Sequence, residues 1–281
     1  MARIYTEHWN DYELIDAGNE RKLERWGSIV TIRPERNAYF TPVLSDKEWM
    51  EKAHFLFKEN SSSSGAWECL KPGTSVNWMI SYGKLNFNLK LTQFKHVGLF
   101  PEQRTNWDFI ADRIQPGQRF LNLFGYTGGA SLAASEKGGV VYHCDSVKQI
   151  NGWAKENMES SSLSDIRWVH DDALKFAQRE VKRGNRYNGL IMDPPAFGLG
   201  AKKERWKIED KFAELMENAH SLLESDGFLI ANTYSPRLSE KQVKQIAKAI
   251  FTRKRIEVDI LSMKTTTGKR IDYGVLTRIT E

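Results

Sequence analysis

Residues 119–145 read RFLNLFGYTGGASLAASEKGGVVYHCD. A short apolar run ends in a glycine-rich turn, a stretch of small residues with helical character follows, and Val140–Asp145 returns as a second apolar run. Strand, tight turn, helix and strand make one βαβ unit. The same rhythm continues to the end of the chain. VKQINGWAKENM is followed by IRWVHDD (166–172), ALKFAQREVKRG by YNGLIMD (187–193), and a helix near 208–224 by GFLIANTYS (227–235). SEKQVKQIAKAIF is helical, and IEVDILSMK and DYGVLTRIT are extended. Alternating strands and helices imply a parallel sheet covered on both faces. The last two extended segments are joined only by TTTGKRI, too short for a parallel crossover, so the last strand runs antiparallel. The expected fold class is α/β: a Rossmann-like, doubly wound sheet of seven strands with a terminal antiparallel hairpin.

The first part of the chain has a different texture. YELIDAGNERKLERWGSIVTIRPER reads as two strands around an Asn-Glu turn, with Pro34 closing the second. A charged stretch with Trp49 and the Ser61–Ser64 tract reads as exposed loop. SVNWMISYG and KLNFNLKLT form a hairpin turned at Tyr82-Gly83-Lys84, with Leu85, Phe87, Leu89 and Leu91 facing inward. These features place a small β-rich N-terminal module at 1–95 and the α/β domain at 96–281.

Composition narrows the function classes. Apolar residues make up 40% of the 281, which excludes a disordered chain, and two cysteines cannot build a disulfide framework or a cysteine-rich zinc site. No apolar run approaches the roughly 20 residues that cross a bilayer, and the N-terminus lacks the apolar core of a signal peptide, so no membrane partner and a cytoplasmic setting are expected. The six histidines form no H-x-x-x-H pair, so no metal is expected. Net charge is +5, and residues 201–281 carry 16 basic against 12 acidic side chains, so most of the excess sits there. Arg237, Lys241, Lys244 and Lys248 share one helical face opposite Val243, Ile246, Ala247 and Ile250, while Lys202, Lys203, Arg205 and Lys207 flank Trp206. Basic residues beside an aromatic suit RNA, although a solvated face explains them equally well.

Three strand ends carry the candidate chemistry. Ligands of open α/β sheets bind outside the carboxyl ends of the strands. At the first, Gly125 and Gly128 would let the backbone come close to a bound molecule. The spacing is neither G-x-G-x-x-G, which disfavours a nicotinamide dehydrogenase, nor a P-loop. Asp145 ends the second strand, where a carboxylate can accept two hydrogen bonds from a ribose diol. Asp171-Asp172 ends the third and could meet an adenine amine; helix N-capping is the competing reading for either aspartate. Asp193-Pro194-Pro195-Ala196-Phe197 ends the fourth. Its prolines stiffen the turn and leave carbonyls free to grip an exocyclic amine, while Phe197 stacks on a planar base.

As a set, these segments resemble the bacterial class I S-adenosylmethionine-dependent methyltransferases, in particular the group containing the large-subunit ribosomal RNA cytosine-5 and guanine-N7 methyltransferases. The resemblance spans about residues 80–281. His96-Val97-Gly98-Leu99-Phe100-Pro101-Glu102-Gln103-Arg104 is similar to that family's Gly-x-Phe-x-x-Gln-Arg segment. The resemblance implies S-adenosylmethionine as cofactor, bound by Gln103, Phe124, Gly125, Tyr126, Thr127, Gly128, Asp145, Ser146 and Asp172. It implies that Asp193, Pro194, Pro195 and Phe197 face the methyl acceptor, a base nitrogen in RNA, with Tyr234 lining the pocket. A protein or small-molecule acceptor, or a catalytically silent RNA binder, are the alternatives. Two departures stand out. Tyr234, in Asn232-Thr233-Tyr234-Ser235-Pro236, occupies the place of the nucleophilic cysteine of the cytosine-5 members, which excludes their covalent route. Cys144 lies inside a strand, and Cys69 is expected to be a small buried residue. Residues 1–95 resemble none of the compact RNA-binding domains with which several family members begin.

Overall fold

The Asn19-Glu20 turn has both residues at positive φ (50° and 57°), the geometry that reverses a twisted two-stranded ribbon. It joins β2 (Tyr12–Gly18) to β3 (Arg21–Trp26), and a second tight turn at Gly27 (φ 62°) leads to β4 (Ile29–Pro34); β1 (Arg3–Tyr5) precedes them. The second expected strand is therefore two strands. The computed structural model describes residues 2–6, 9–61, 64–199 and 205–281.

After β4 the next strand pairs parallel, which requires a crossover. The helix α1 (Asp46–Lys52) supplies it inside the stretch expected to be a loop, with a capping box between Ser45 and Glu48. β5 (Phe55–Glu59) and β6 (Gly65–Cys69) complete a five-stranded sheet in chain order, and β7 (Asn77–Tyr82) and β8 (Leu85–Lys90) form the expected hairpin. Leu85, Phe87 and Leu89 are buried and Leu91 half-buried. Leu23, Val30, Ile32, Trp49 and Ala53 form the core between sheet and helix.

The catalytic-type sheet begins after a 3-10 turn at Pro101–Gln103 and α2 (Arg104–Ala111). Its elements are β9 (Arg119–Leu123), α3 (Gly129–Glu136), β10 (Val140–Asp145), α4 (Lys148–Ser160), β11 (Arg167–His170), α5 (Ala173–Lys182) and β12 (Tyr187–Met192). A small hairpin, β13 (Phe197–Leu199) with β14 (Arg205–Lys207), precedes α6 (Ile208–Leu222), β15 (Leu223–Thr233), α7 (Glu240–Ile250), β16 (Arg255–Lys264) and β17 (Arg270–Thr280). Strand order is β1-β16-β17-β15-β12-β9-β10-β11. β9 through β12 and β15 pair parallel, and β17 runs antiparallel to β15, as the short final loop requires. The three-residue β1 adds an eighth strand at the edge. Leu121, Leu123, Leu190 and Met192 enter the core shared with α5, α6 and α7, whereas Asn122 points the other way and donates to Ser131 of α3. Both faces of the sheet are covered.

The chain forms two compact units. One holds the residues up to Ile4, Arg104–Leu261 and Gly274–Glu281; the other holds Tyr5–Gln103 and Ser262–Tyr273. The tip of the β16–β17 hairpin thus belongs to the N-terminal unit. There Thr266 N donates to Leu14 O (2.9 Å) and the Thr267 hydroxyl to Asp16 Oδ1 (2.7 Å), capping the open edge of β2.

Candidate active site at the carboxyl edge of the sheet

Register brings the candidate segments to one rim. Leu123 lies opposite both Cys144 and Met192, Asp145 opposite His170, and Met192 opposite Ala231. The parallel strands end near this level, so the residues that follow them, 124–128, Ser146, Asp171-Asp172, Asp193 and Tyr234, emerge side by side. Backbone bonds continue the alignment past the strands: Gly125 N to Cys144 O (3.0 Å), Asp171 N to Asp145 O (3.3 Å) and Asp193 N to Leu123 O (3.4 Å).

The turn after β9 takes its sharp backbone mostly at residues other than glycine. Positive φ falls on Phe124 (60°), Tyr126 (49°) and Gly128 (93°), not on Gly125. Side-chain-bearing residues held there cost of order 1–3 kcal/mol each, and such strain concentrates at ligand clamps. Gly125 is glycine for another reason: a Cβ would stand 2.4 Å from the His143 ring. That ring is wholly buried, contacts Ser131 Oγ through Nδ1 (2.9 Å) and meets Trp168 edge-on. Burial pushes the imidazole down to about 4, so His143 is neutral packing beneath the turn. Asn157 donates to the carbonyl of buried Thr127 (2.9 Å) and fixes the turn from α4.

Asp145 meets this turn directly. Its Oδ2 accepts from Tyr126 N (3.0 Å) and its Oδ1 from Val147 N (2.9 Å). Burial nevertheless raises its carboxyl above the ordinary aspartate value, since these two bonds do not offset the lost water. Each oxygen retains acceptor capacity beyond one bond. Ser146 is exposed, and its carbonyl faces His170 Nε2 (3.0 Å). Asp172 is the N-cap of α5, with Oδ1 accepting from Lys175 N (2.9 Å), which is the competing reading realised. Asp171 pairs with Arg179. Gln103 is buried, belongs to the N-terminal unit and donates its N–H to Phe100 O (3.1 Å).

On the acceptor side Asp193 is half-buried, Pro194 buried, Pro195 exposed and Phe197 58% exposed, a large apolar surface left to solvent. Trp206 is the residue that sequence reasoning undervalued. Its indole N–H donates to the Pro195 carbonyl (2.7 Å), and its ring lies 5.4 Å from that of Phe124. The Pro195 carbonyl thus already accepts one bond, whereas the Pro194 carbonyl accepts none among the described residues. No local signal announces this lock, because its partners are 11 and 82 residues away in sequence. Tyr234 is half-buried beside Gly274, whose absent Cβ would meet Thr233 O at 2.4 Å. Ser235 bonds Glu209 at the start of α6.

Cys144 is buried, and burial pushes its thiol up to about 12. Cys69 is exposed, contrary to expectation: it shares the more covered face of the edge strand β6 with Gly65 and Trp67 but is the last residue of that strand. Lys202 and Lys203 lie outside the described residues; Arg205 and Lys207 are exposed. Among the described residues no group of three His, Cys, Asp or Glu side chains could hold a metal, and no helix is long and apolar enough to cross a membrane.

Comparison with known proteins matches this architecture. Residues 47–249 match the S-adenosylmethionine-dependent methyltransferase family. The crystal structure of the SAM dependent methyltransferase from Agrobacterium tumefaciens superposes with a TM-score of 0.93 at 31% identity, covering 100% of this chain and 93% of that one. The ribosomal RNA large subunit methyltransferase K of Neisseria meningitidis is 29% identical over 221 residues, 75% of this chain. The K/L protein of Shewanella frigidimarina is 31% identical over 148 residues, 51% of this chain. The matched parts span 62% and 20% of those two relatives. The strained turn at Phe124 and Tyr126, the Asp145 carboxylate and the Asp-Pro-Pro-Ala-Phe turn all lie within the matched residues. This chain belongs to the S-adenosylmethionine-dependent methyltransferases, and S-adenosylmethionine is its cofactor.

Proposed function

We propose that the chain methylates a base nitrogen in RNA, ribosomal RNA being the first candidate, in the cytoplasm. The observation that carries this reading is the Asp193–Phe197 turn, which presents a carboxylate, a proline carbonyl and an exposed aromatic ring together on the rim that carries Asp145. The names of the Neisseria and Shewanella relatives support RNA as the acceptor. Gly125, Thr127, Gly128, Tyr126 and Phe124 shape the cofactor cradle, Asp145 accepts from the ribose hydroxyls, Ser146 and Asp172 border the adenine, and Gln103 lies toward the methionine end. The N-terminal unit recognises the substrate.

S-adenosylmethionine supplies a methyl group on a positive sulfur, which keeps the electron pair of the broken carbon–sulfur bond. The residues then have a positioning task. Asp193 and the Pro194 carbonyl accept hydrogen bonds from the acceptor amine, aim its lone pair along the line of transfer, and Asp193 lies where the released proton can go. Phe197 stacks on the base, and Tyr234 lines the pocket.

The test is incubation of the protein with total bacterial RNA and radiolabelled cofactor, followed by nucleoside analysis. Label in an N-methylated nucleoside is expected; label in protein alone would overturn the reading. Asp193→Ala should lower the methyl-transfer rate roughly 100-fold or more, with cofactor affinity within a few-fold by calorimetry.

A further inference from the structure

The helix α7 carries three lysines at positions 241, 244 and 248, spaced three and four residues apart and therefore on one face. All three are exposed, while Val243 and Ala247 are buried on the opposite side. Arg237, exposed in the turn that follows Tyr234, extends the row toward the rim. On other surface helices some cations are neutralised within a turn, Lys155 by Glu159 (3.9 Å), Lys211 by Glu214 (3.0 Å) and Lys47 by Glu51 (3.9 Å), and single lysines such as Lys148 and Lys182 stay unpaired among the described residues; α7 differs in lining up three on one face. None of the three α7 lysines makes an ion pair among the described residues, and Glu240, four residues before Lys244, does not close on it. Like charges stacked at i, i+3 and i, i+4 repel, so this face is left electrostatically incomplete.

The row also connects to the candidate acceptor site. Ser235 bonds Glu209, and the same Ser235 Oγ accepts from Arg237 N (3.2 Å). Lys207, two residues before Glu209, lies opposite the exposed Phe197 in the β13–β14 hairpin. Cations thus stand beside the stacking ring at Lys207, at Arg237, and along α7 for roughly another 10 Å at the rise of a helix, with the Glu209 carboxylate between the first two.

We propose that Arg237, Lys241, Lys244 and Lys248 bind the phosphate backbone of the RNA strand that continues beyond the methylated nucleotide. This rests on the RNA reading above and adds where the strand runs. Single-stranded RNA fits the row better than an acidic protein segment. A base delivered to Phe197 necessarily carries a regularly charged backbone away from the rim, and a line of point-charge ammonium groups suits phosphates without selecting sequence.

The experiment measures the salt dependence of binding of a labelled, mixed-sequence, single-stranded RNA to the protein loaded with S-adenosylhomocysteine. Wild type is compared with the triple variant Lys241→Gln, Lys244→Gln, Lys248→Gln and with the triple Lys→Arg variant. Each phosphate contact contributes about 0.7 to the log–log slope for single strands, so the Gln variant should lose roughly 2 units of slope and at least about tenfold in affinity at low salt. The Arg variant should retain the wild-type slope, and calorimetry should show unchanged S-adenosylhomocysteine affinity in all three. Equal slopes for wild type and the Gln variant would overturn the proposed track while leaving the RNA reading intact. Failure of the wild type itself to bind RNA, together with no methyl uptake by RNA, would defeat both. A poly-glutamate peptide binding wild type as tightly as RNA does, and lost in the Gln variant, would reassign the row to an acidic protein partner.

Discussion

The two units each bury a carboxylate, and they satisfy it in opposite ways. In the N-terminal unit Glu24 is surrounded by cations: Arg33 grips it through Nε (2.7 Å) and Nη2 (2.9 Å), Lys22 approaches to 3.4 Å, and the Tyr12 hydroxyl donates at 2.8 Å. Burial pushes that carboxyl up, but the two cations outweigh it and hold it at about 2. In the other unit Asp145 meets two backbone amides and, among the described residues, no Lys or Arg. A carboxylate closed off by cations has nothing left to offer a ligand. One held by backbone amides, with His170 beside it and its charge incompletely compensated, is suited to new donors such as a sugar diol. The first arrangement is complete within the fold; the second leaves the acceptor capacity that the proposed ribose contact needs.

The sharpest way to break this contrast is Glu24→Ala. It strands the Arg33 guanidinium in the core, and losing one partner of a buried pair costs about 3–5 kcal/mol. Urea unfolding monitored by tryptophan fluorescence should show that loss. A cost under about 1 kcal/mol would mean that the cluster is not structurally essential.

Glu102 sharpens the contrast from within the N-terminal unit. It is buried, its Oε2 has no hydrogen-bond partner among the described residues, and burial raises its carboxyl to about 7. The folded chain holds this proton more tightly than the unfolded chain does. Stability from this group is therefore present in full below pH ~4.5, declines as pH rises to about 7, and is flat beyond. Glu102→Gln removes the titration, so the variant should match wild type near pH 4 and exceed it at pH 8 by roughly 2–3 kcal/mol. A constant difference across that range in denaturant melts would refute the assignment.

Asp145→Ala should do the reverse of Glu24→Ala. Stability should change by less than about 1 kcal/mol, while S-adenosylmethionine affinity falls by about 1–3 kcal/mol as ribose hydroxyls lose their acceptor. Calorimetry checks the second figure, and tighter binding of a nicotinamide dinucleotide would count against the site.

What the sequence revealed follows from how local its signals are. β9, β10 and β12 are legible because each is an apolar run ended by Gly or Asp, and the antiparallel β17 follows from one short loop. The helix α1 is hard to read from sequence because only Trp49 in it is buried, although Ser45 and Glu48 are spaced as a capping box. The turn at Gly27 is masked because Trp26 and Ile29 read as one apolar run across it. The positive φ at Phe124 and Tyr126 has no sequence mark, since only glycine announces such backbone. The assignment of Ser262–Tyr273 to the N-terminal unit depends on bonds to residues about 250 positions earlier. Rim residues could be listed from sequence, but the contacts that hold them in place could not.

The smallest expected effect concerns the cysteines, where the two units differ again. Cys144 lies in the core with α5 and α6, its thiol raised to about 12, so it is neither accessible nor ionised near neutral pH. Cys69 is exposed, but it belongs to the N-terminal unit, where its Sγ faces the Lys71 carbonyl at 3.3 Å. The chain carries no cysteine in the segment after β15, where the resemblance would put a thiolate attacking C6 of cytosine; Tyr234 follows β15 there, and its oxygen is a poorer nucleophile than sulfur. The double variant Cys69→Ser, Cys144→Ser should therefore methylate at the wild-type rate within about twofold. The buried Cys144→Ser change alone should cost about 1–3 kcal/mol of stability, because a hydroxyl replaces a thiol in an apolar setting. RNA containing 5-fluorocytosine should give no covalent complex. A trapped adduct, or 5-methylcytosine as product, would show that a cysteine reaches the base after all and that Tyr234 does not mark a non-covalent site.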